Sequence, residues 1–370
     1  SPPLYSSAAS DVYKRQSQKN AKKVSPLTIT IIVIIALIVA FAWFAEVATS
    51  YMWFDQLGFN DFLVKKWVTQ GLLFLLGLVA VAAPIFACLW ASYKYRPQIV
   101  PVTREDVAIA GFRDAVEPLR KIITIAAPVV LGVFGGLTLS RQWQEILLML
   151  NQTPFGKTDP VFDKDIAFYV FTLPVIETAL GLVNFVILAS AFATVLGHFI
   201  YGGIEWDQKK GLRLTRAART HVGVIAMAYM FVLAAQHWFE RYGTLTASHE
   251  KFDGAAYTDV HALIPGKTIL AISAFIVALL LLAWILKGNW KLPAAAAGLI
   301  VLSTVAVGMV YPYLIQTFQV EPNERNLEKP FIEENMAATR AAYGLEDVKE
   351  VSYRAKSTAC LLYTSPSPRD

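Results

Sequence analysis

The chain has few cysteines and few charged residues. Its 370 residues include two cysteines, Cys88 and Cys360. Neither has a second cysteine at metal-ligand spacing, so the sequence predicts no disulfide framework and no cysteine metal site. Charged residues make up 16% of the chain and hydrophobic residues 55%, whereas about a quarter of the residues of a soluble protein are charged. We therefore predict a membrane protein, and we predict no cofactor.

The two termini differ from the apolar sequence between them. "DVYKRQ" at 11–16 can be encoded by DNA whose complementary strand encodes "CLLYT" at 360–364. We interpret 1–16 and 360–370 as translated sequencing-adapter DNA, disordered and excluded from the fold. On this interpretation 17–359 is an internal piece of a longer gene product. Cys88, inside an apolar run, is then its only cysteine and packs in the core.

Seven apolar stretches are long enough to cross a bilayer, whose hydrocarbon core of about 30 Å requires roughly 20 residues of helix. They predict an all-α fold, a polytopic transmembrane helix bundle over 27–318. The predicted spans are 27–47, 67–91, 122–139, 174–200, 221–239, 268–286 and 293–315.

Basic residues predict the orientation of the bundle. One set of alternate segments carries sixteen Lys and Arg residues, and the other set of loops carries eight. Because Lys and Arg favour cytoplasmic loops, the N-terminus is predicted inside and the C-terminus outside. The protein is then a multi-pass protein of the bacterial plasma membrane, with 17–26 as a cytoplasmic N-terminal segment. The basic loop "KKGLRLTRAAR" suits anionic lipid headgroups, so the lipid bilayer is the predicted partner and nucleic acid is not. The sequence leaves the oligomeric state open.

The centres of the predicted spans lack Asp, Glu, Lys and Arg, which argues against a proton pathway through them. Glu177 lies in a first helical turn, where an acid suits the helix N-terminus. His198, His221 and His237 lie near span ends without metal-ligand spacing. Small residues and one amide predict close helix packing: Gly132, Gly136, Asn184, Ala189, Ala193 and Gly197.

The loops between the spans contain the remaining polar candidates. Trp143 to Leu150 is apolar but too short to cross, which predicts an interfacial or re-entrant helix. Five residues are weak metal-ligand candidates: Asp159, Asp163, Asp165, His249 and Asp253. Their spacing departs from an EF-hand and contains no HExxH, so solvated side chains are the favoured interpretation. We predict no catalytic and no cofactor-binding residue.

Long stretches of these loops resemble one family of bacterial membrane proteins. "LNQTPFGKTDPVFDKDIAFYVFTLP", "FDGAAYTDVHALIP" and "YPYLIQTFQVEPNERNLEKPFIEENMAATRAAYGLEDV" look like the uncharacterised protein family 0182, over essentially all of 27–358. The resemblance implies seven plasma-membrane spans followed by a large extracytoplasmic domain, and it implies no catalytic residues. Residues 319–359 would begin that domain, with a helix from Pro330 to about Gly344, and the rest of the domain would be a partner.

Three functions remain open at this point. The first is a membrane anchor and scaffold for an extracytoplasmic domain in cell-envelope biology. The second is a transporter or channel component for an apolar or lipid-like substrate, which the charge-poor spans would suit. The third is a lipid-modifying enzyme, which is the weakest hypothesis because no nucleophile–base pair is visible.

Overall fold

The computed structural model describes residues 25–97, 117–207, 211–249, 253–349 and 351–353. Both predicted adapter segments, 1–16 and 360–370, lie outside these residues, as does 17–24 of the predicted cytoplasmic segment. The described chain is almost entirely helical and divides into two compact units, 1–71 and 72–370.

Ten α-helices and two strands make up the regular structure of the described residues. The helices are α1 (Pro26–Gln56), α2 (Asn60–Lys94), α3 (Arg120–Arg141), α4 (Trp143–Leu150), α5 (Leu173–Ile200), α6 (Arg216–Gly243), α7 (Ile264–Lys287), α8 (Lys291–Val305), α9 (Tyr311–Leu314) and α10 (Glu324–Ala342). Two antiparallel strands, β1 (Ile204–Asp207) and β2 (Gly211–Leu214), form a hairpin between α5 and α6.

Among the described residues, seven helical stretches are long and apolar enough to cross a membrane, the same number as the predicted spans. Each is longer than predicted, since its helix continues into the polar and aromatic residues that flank the apolar run. The last one runs from Lys291 to Ala342 over 52 residues, with α8, α9 and α10 joined by short π-helical and 3₁₀ turns. The short helix predicted at Trp143–Leu150 is present as α4.

The predicted helix start at Pro330 is wrong. The helix is already formed at Glu324, and Pro330 lies inside it. A proline lacks the N–H that would bond to the carbonyl four residues before it, here that of Asn326, so only one hydrogen bond of the helix is lost. The predicted end agrees with the structure, because α10 ends at Ala342 and Gly344 adopts a left-handed φ of 65°.

The first unit contains α1, which buries none of its residues. Its apolar side chains are exposed along the whole helix, among them Ile35, Phe41 and Trp43. A helix that is apolar on all sides requires an apolar surrounding, and this is consistent with lipid contact.

Within the second unit, α5, α6, α7 and α8 pack in sequence order. One apolar cluster forms around Val81 of α2, Ile85 of α2 and Ala193 of α5. A second forms around Val277 and Leu281 of α7 and Ala296 of α8. The two clusters hold neighbouring helices together along their lengths.

The second unit has two distinct ends. We call one the hairpin end: it contains the β-hairpin, and Tyr93 at the end of α2 contacts Tyr201 and Arg120 there. We call the other the loop end: it contains the connections 151–167 and 244–258, and Phe162 and Phe168 contact Tyr242 at the end of α6.

Candidate functional site

Asp159 organises the first connection of the loop end. Its carboxylate accepts hydrogen bonds from the backbone N–H of Val161 (2.9 Å), Phe162 (2.6 Å) and Lys164 (2.8 Å), and from the Tyr169 hydroxyl (2.8 Å). Partial burial acts to raise the pKa of Asp159, but these hydrogen bonds together lower that pKa below its ordinary value. The carboxylate is therefore ionised at neutral pH and holds the turn closed.

Asp165 has the same role on the other side of this connection. Its two oxygens accept from the backbone N–H of Ala167 (2.8 Å), Phe155 (3.0 Å) and Gly156 (2.9 Å). The bonds from Ala167 and Phe155 lower the pKa of this carboxyl group. Together, Asp159 and Asp165 tie the chain just before α5 into a fixed loop.

The five metal-ligand candidates stay apart. Asp163 is exposed and takes a left-handed φ of 52°. His249 lies 3.0 Å from Asp259, and Asp253 accepts from the Ser248 hydroxyl at 2.6 Å. Across the described ranges, no three His, Cys, Asp or Glu side chains are grouped so that they could hold a metal ion. These five residues therefore stay weak candidates without geometric support for a metal site.

The second connection of the loop end is attached to α10. Glu328, which is only 7% exposed, accepts the backbone N–H of Tyr257 through both carboxylate oxygens, at 3.2 and 3.0 Å. The Asn335 amide donates to the carbonyl of Asp253. These bonds fix α10 to a loop more than 70 residues before it in the chain.

Further contacts extend this attachment, and we call the whole assembly the α10 platform. Its members are 253–261, Gln316, Gln319, Glu328, Phe331 and Asn335. The Thr258 hydroxyl donates to Gln316 at 2.5 Å, and Gln319 donates to the Tyr257 hydroxyl at 2.9 Å. The His261 ring stacks on Tyr257 with centroids 4.0 Å apart.

Asp259 is a buried acid of the α10 platform. It is 4% exposed, accepts from the Ala256 backbone N–H at 2.8 Å and pairs with His249 at 3.0 Å. A buried carboxylate is stable only when it is hydrogen-bonded or paired. The buried acids of the platform are thus paired or hydrogen-bonded and are not solvated loop residues.

A buried polar chain crosses the interface between α5 and α6. His198 Nε2 lies 3.1 Å from His221 Nδ1, and His221 Nε2 lies 3.3 Å from the Thr194 hydroxyl. His198 is 1% exposed, so its ring faces the neighbouring helix and not the headgroup region suggested by its position near a span end. Beside this chain lies an apolar cavity of about 210 Å³, lined by residues that include Ile187, Thr194, Val222 and Tyr229.

The predicted packing residues lie between helices. A Cβ at Gly132 would come within 2.8 Å of the Leu78 carbonyl oxygen, and one at Gly136 within 2.6 Å of the Phe74 carbonyl oxygen. Ala193 belongs to the cluster around Val81, with Ala189 packed against it, and Gly197 lies against Ser92. Asn184 differs from expectation, because its buried Oδ1 has no hydrogen-bond partner among the described residues.

Sequence reasoning missed the most important platform residues. Glu328 looks like one of several acids on an amphipathic helix, and its partner is a backbone N–H distant in sequence. Asp259 likewise lies in a polar loop whose sequence does not indicate burial. A weak signal exists in the apolar residues that surround Glu328, since an acid on the apolar face of a helix usually has a buried partner.

Comparison with known proteins supports the relationship suggested by the loop motifs. The family model described as "Uncharacterised protein family (UPF0182)" matches residues 27–365. The match extends past 359 into the segment interpreted as adapter sequence, so that interpretation remains a prediction. No solved structure matches the chain.

Several curated relatives, all named as UPF0182 proteins, are similar over most of the chain. A protein from Kocuria rhizophila is 40% identical over 92% of this chain and 34% of its own length. One from Arthrobacter sp. is 37% identical over 90% and 33%, and one from Kineococcus radiotolerans is 39% identical over 85% and 31%. The chain thus spans about a third of the length of the curated relatives it matches.

Proposed function

We propose that this chain, which belongs to the uncharacterised protein family UPF0182, is a membrane anchor that scaffolds an extracytoplasmic domain in the cell envelope. The N-terminus lies in the cytoplasm and the loop end faces outward, in the bacterial plasma membrane. The excess of basic residues in the segments of the hairpin end supports this orientation.

The α10 platform is the single observation that carries this proposal. It attaches the last described helix to the loop end through the buried Glu328 carboxylate and the Tyr257 backbone. A helix held this way has a fixed position relative to the membrane bundle, and a domain attached to that helix would be fixed in the same way. In the relatives, about two-thirds of the length lies outside the stretch that this chain matches, which is room for a large domain.

A second candidate is transport of an apolar or lipid-like substrate. The cavity between α5 and α6 favours it, because its lining is largely apolar and could receive an apolar substrate. A transport route requires a cavity that opens to both sides of the membrane, whereas an anchor requires contacts of the kind that the α10 platform makes. We therefore rank the anchor first.

The experiment is deletion of the full-length gene in an organism carrying a relative, with profiling of envelope lipids and of solute uptake. The anchor proposal predicts an altered envelope that is restored by the full-length gene and not by its membrane part alone. An unaltered envelope with a failed solute uptake would reject the anchor and favour transport.

A further inference from the structure

The hairpin end contains a pair of arginines that converge on one aromatic ring. The guanidinium carbon of Arg96 lies 3.8 Å from the centre of the Tyr93 ring, and that of Arg120 lies 3.5 Å from the same point. The Tyr201 ring meets Tyr93 edge-on, with centroids 5.4 Å apart. We call these four residues the arginine clamp. It joins the end of α2, the start of α3 and the segment after α5.

The stacking leaves the hydrogen-bond donors of both arginines available. A guanidinium carries its N–H groups in its own plane, so a guanidinium that lies over a ring contacts the ring with its face and directs its donors outward. Among the described residues, neither Arg96 nor Arg120 donates a hydrogen bond to any acceptor. The buried Nε of Arg120 lacks a hydrogen-bond partner there.

Among the described residues near the clamp, the acid that pairs with one of its arginines is Glu117. Glu117 lies 3.7 Å from Arg120 Nε, beyond hydrogen-bond distance, and its side chain is 45% exposed. Lys94 adds a third cation, with its ammonium 4.4 Å from the centre of the Trp90 ring. Two guanidinium groups on one ring repel each other, and an anion that contacts both would offset that repulsion. In the described part of the chain, the two guanidinium groups of the clamp thus have one exposed carboxylate beside them.

The position of the clamp indicates which anion is available. Tyr93 and Tyr201 belong to it, and Trp90 and Tyr95 lie close by in the chain, where α2 ends and both contact the Lys94 ammonium. Tyr and Trp concentrate at the level of lipid headgroups, and basic pockets between membrane helices bind phosphate-bearing headgroups. A guanidinium matches the geometry of phosphate oxygens in a way that an ammonium does not.

We propose that the arginine clamp binds the phosphate of an anionic phospholipid headgroup, bridged between Arg96 and Arg120. This assignment is independent of the anchor function, and of which side of the membrane the hairpin end meets. It makes the bound lipid a third component that joins α2, α3 and the segment after α5.

The test uses the full chain in detergent, titrated with phosphatidylglycerol or phosphatidylcholine and followed by native mass spectrometry. The Arg96→Gln/Arg120→Gln variant removes both guanidinium groups. The matched control, Lys121→Gln/Arg216→Gln, removes the same charge from exposed positions at the same end. A third variant, Arg96→Lys/Arg120→Lys, keeps the charge and loses the planar donors. Circular dichroism and gel filtration verify that each variant is folded.

We expect the Gln pair to bind phosphatidylglycerol about tenfold more weakly, the change that about 1.4 kcal/mol produces, while the control pair stays within about twofold of the wild type. The Lys pair should also lose affinity for phosphatidylglycerol. If the Gln pair fails to fold, the affinity of the Lys pair tests the proposal in its place. Equal losses in the Gln and control pairs would overturn the proposal, as would wild-type binding by the Lys pair. Displacement of the lipid by millimolar inorganic phosphate would reject the lipid as the ligand and leave a soluble phosphate site.

Discussion

At the scale of single residues, two acids of the loop end accept hydrogen bonds mainly from backbone N–H groups. Asp159 and Asp165 together accept six backbone N–H groups and one hydroxyl. From sequence, their spacing indicates turn chemistry, but it cannot distinguish a solvated acid from a hydrogen-bonded one. That distinction depends on how the chain folds back between Phe155 and Ala167, which is a property of the tertiary structure.

The lowered pKa values of Asp159 and Asp165 predict an acid-sensitive loop. A carboxyl group whose pKa is lower in the folded state stabilises the fold above its unfolded pKa of about 3.8 and loses that contribution as the pH falls through the folded value. When the pH is lowered below about 4, we expect the melting temperature of the wild type to decrease, in part because the carboxylates of this loop become protonated. The Asp159→Asn/Asp165→Asn variant should be less stable at pH 7 and show a flatter pH dependence.

The control for this measurement is Asp163→Asn, which changes an exposed acid of the same loop and should reproduce the wild-type curve. Thermal unfolding followed by circular dichroism between pH 7 and pH 3 provides the comparison. Parallel curves for the wild type and the double variant would show that these carboxylates do not couple to stability.

Glu328 is the residue on which the α10 platform depends most. Replacing it with alanine leaves the Tyr257 backbone N–H without its acceptor, and an unsatisfied buried donor costs about 1–3 kcal/mol. We expect Glu328→Ala to accelerate hydrogen exchange in 253–261 and in α10. Glu334→Ala removes an exposed acid from the same helix and should leave exchange unchanged. Similar hydrogen exchange in both variants would show that Glu328 does not hold α10 to the loop.

At the scale of elements, apolar length predicted all seven spans. The exact boundaries were harder, because charged and aromatic residues at span ends continue the helix instead of ending it. The π-helical turns before α5 and α7 were not predictable, although each precedes a proline, Pro174 or Pro265. Such a turn arises where helix packing and the missing proline N–H together shift the helical hydrogen bonds. The local sequence specifies the missing N–H, but it does not specify the packing.

Contact between α2 and α3 depends on glycines with no room for a side chain. A Cβ at Gly136 would meet a backbone carbonyl of α2 at 2.6 Å, which only movement of the helix backbone can relieve. We expect Gly136→Ala to destabilise the protein by about 1–3 kcal/mol, the usual cost of overpacking. Denaturant unfolding in detergent micelles measures this.

The control is Gly181→Ala in α5, where a Cβ would meet nothing within 4 Å. This change should be neutral, or stabilising by about 0.5–1 kcal/mol, since alanine favours helix over glycine. If both variants behaved alike, close packing of α2 against α3 would not be a determinant of stability.

At the scale of the whole molecule, composition predicted a chain of helices apolar enough to cross a membrane, and the loop motifs pointed to its family. Function was not accessible in the same way, because the relevant contacts join residues far apart in sequence. The clearest example is Glu328 with Tyr257, which only the folded loop end brings together. The His198–His221 pair is a second example, since each histidine alone looks like an ordinary residue near a span end.

The central claim is that the bundle presents the α10 platform on the outer side of the membrane. It is tested by single cysteines in a Cys88→Ser/Cys360→Ser background, labelled on intact cells with a membrane-impermeant maleimide. One cysteine replaces the exposed Glu334 of α10, and the other replaces the exposed Arg216 at the hairpin end. The account predicts labelling of Glu334→Cys on intact cells and of Arg216→Cys only after permeabilisation. The reverse pattern would contradict it.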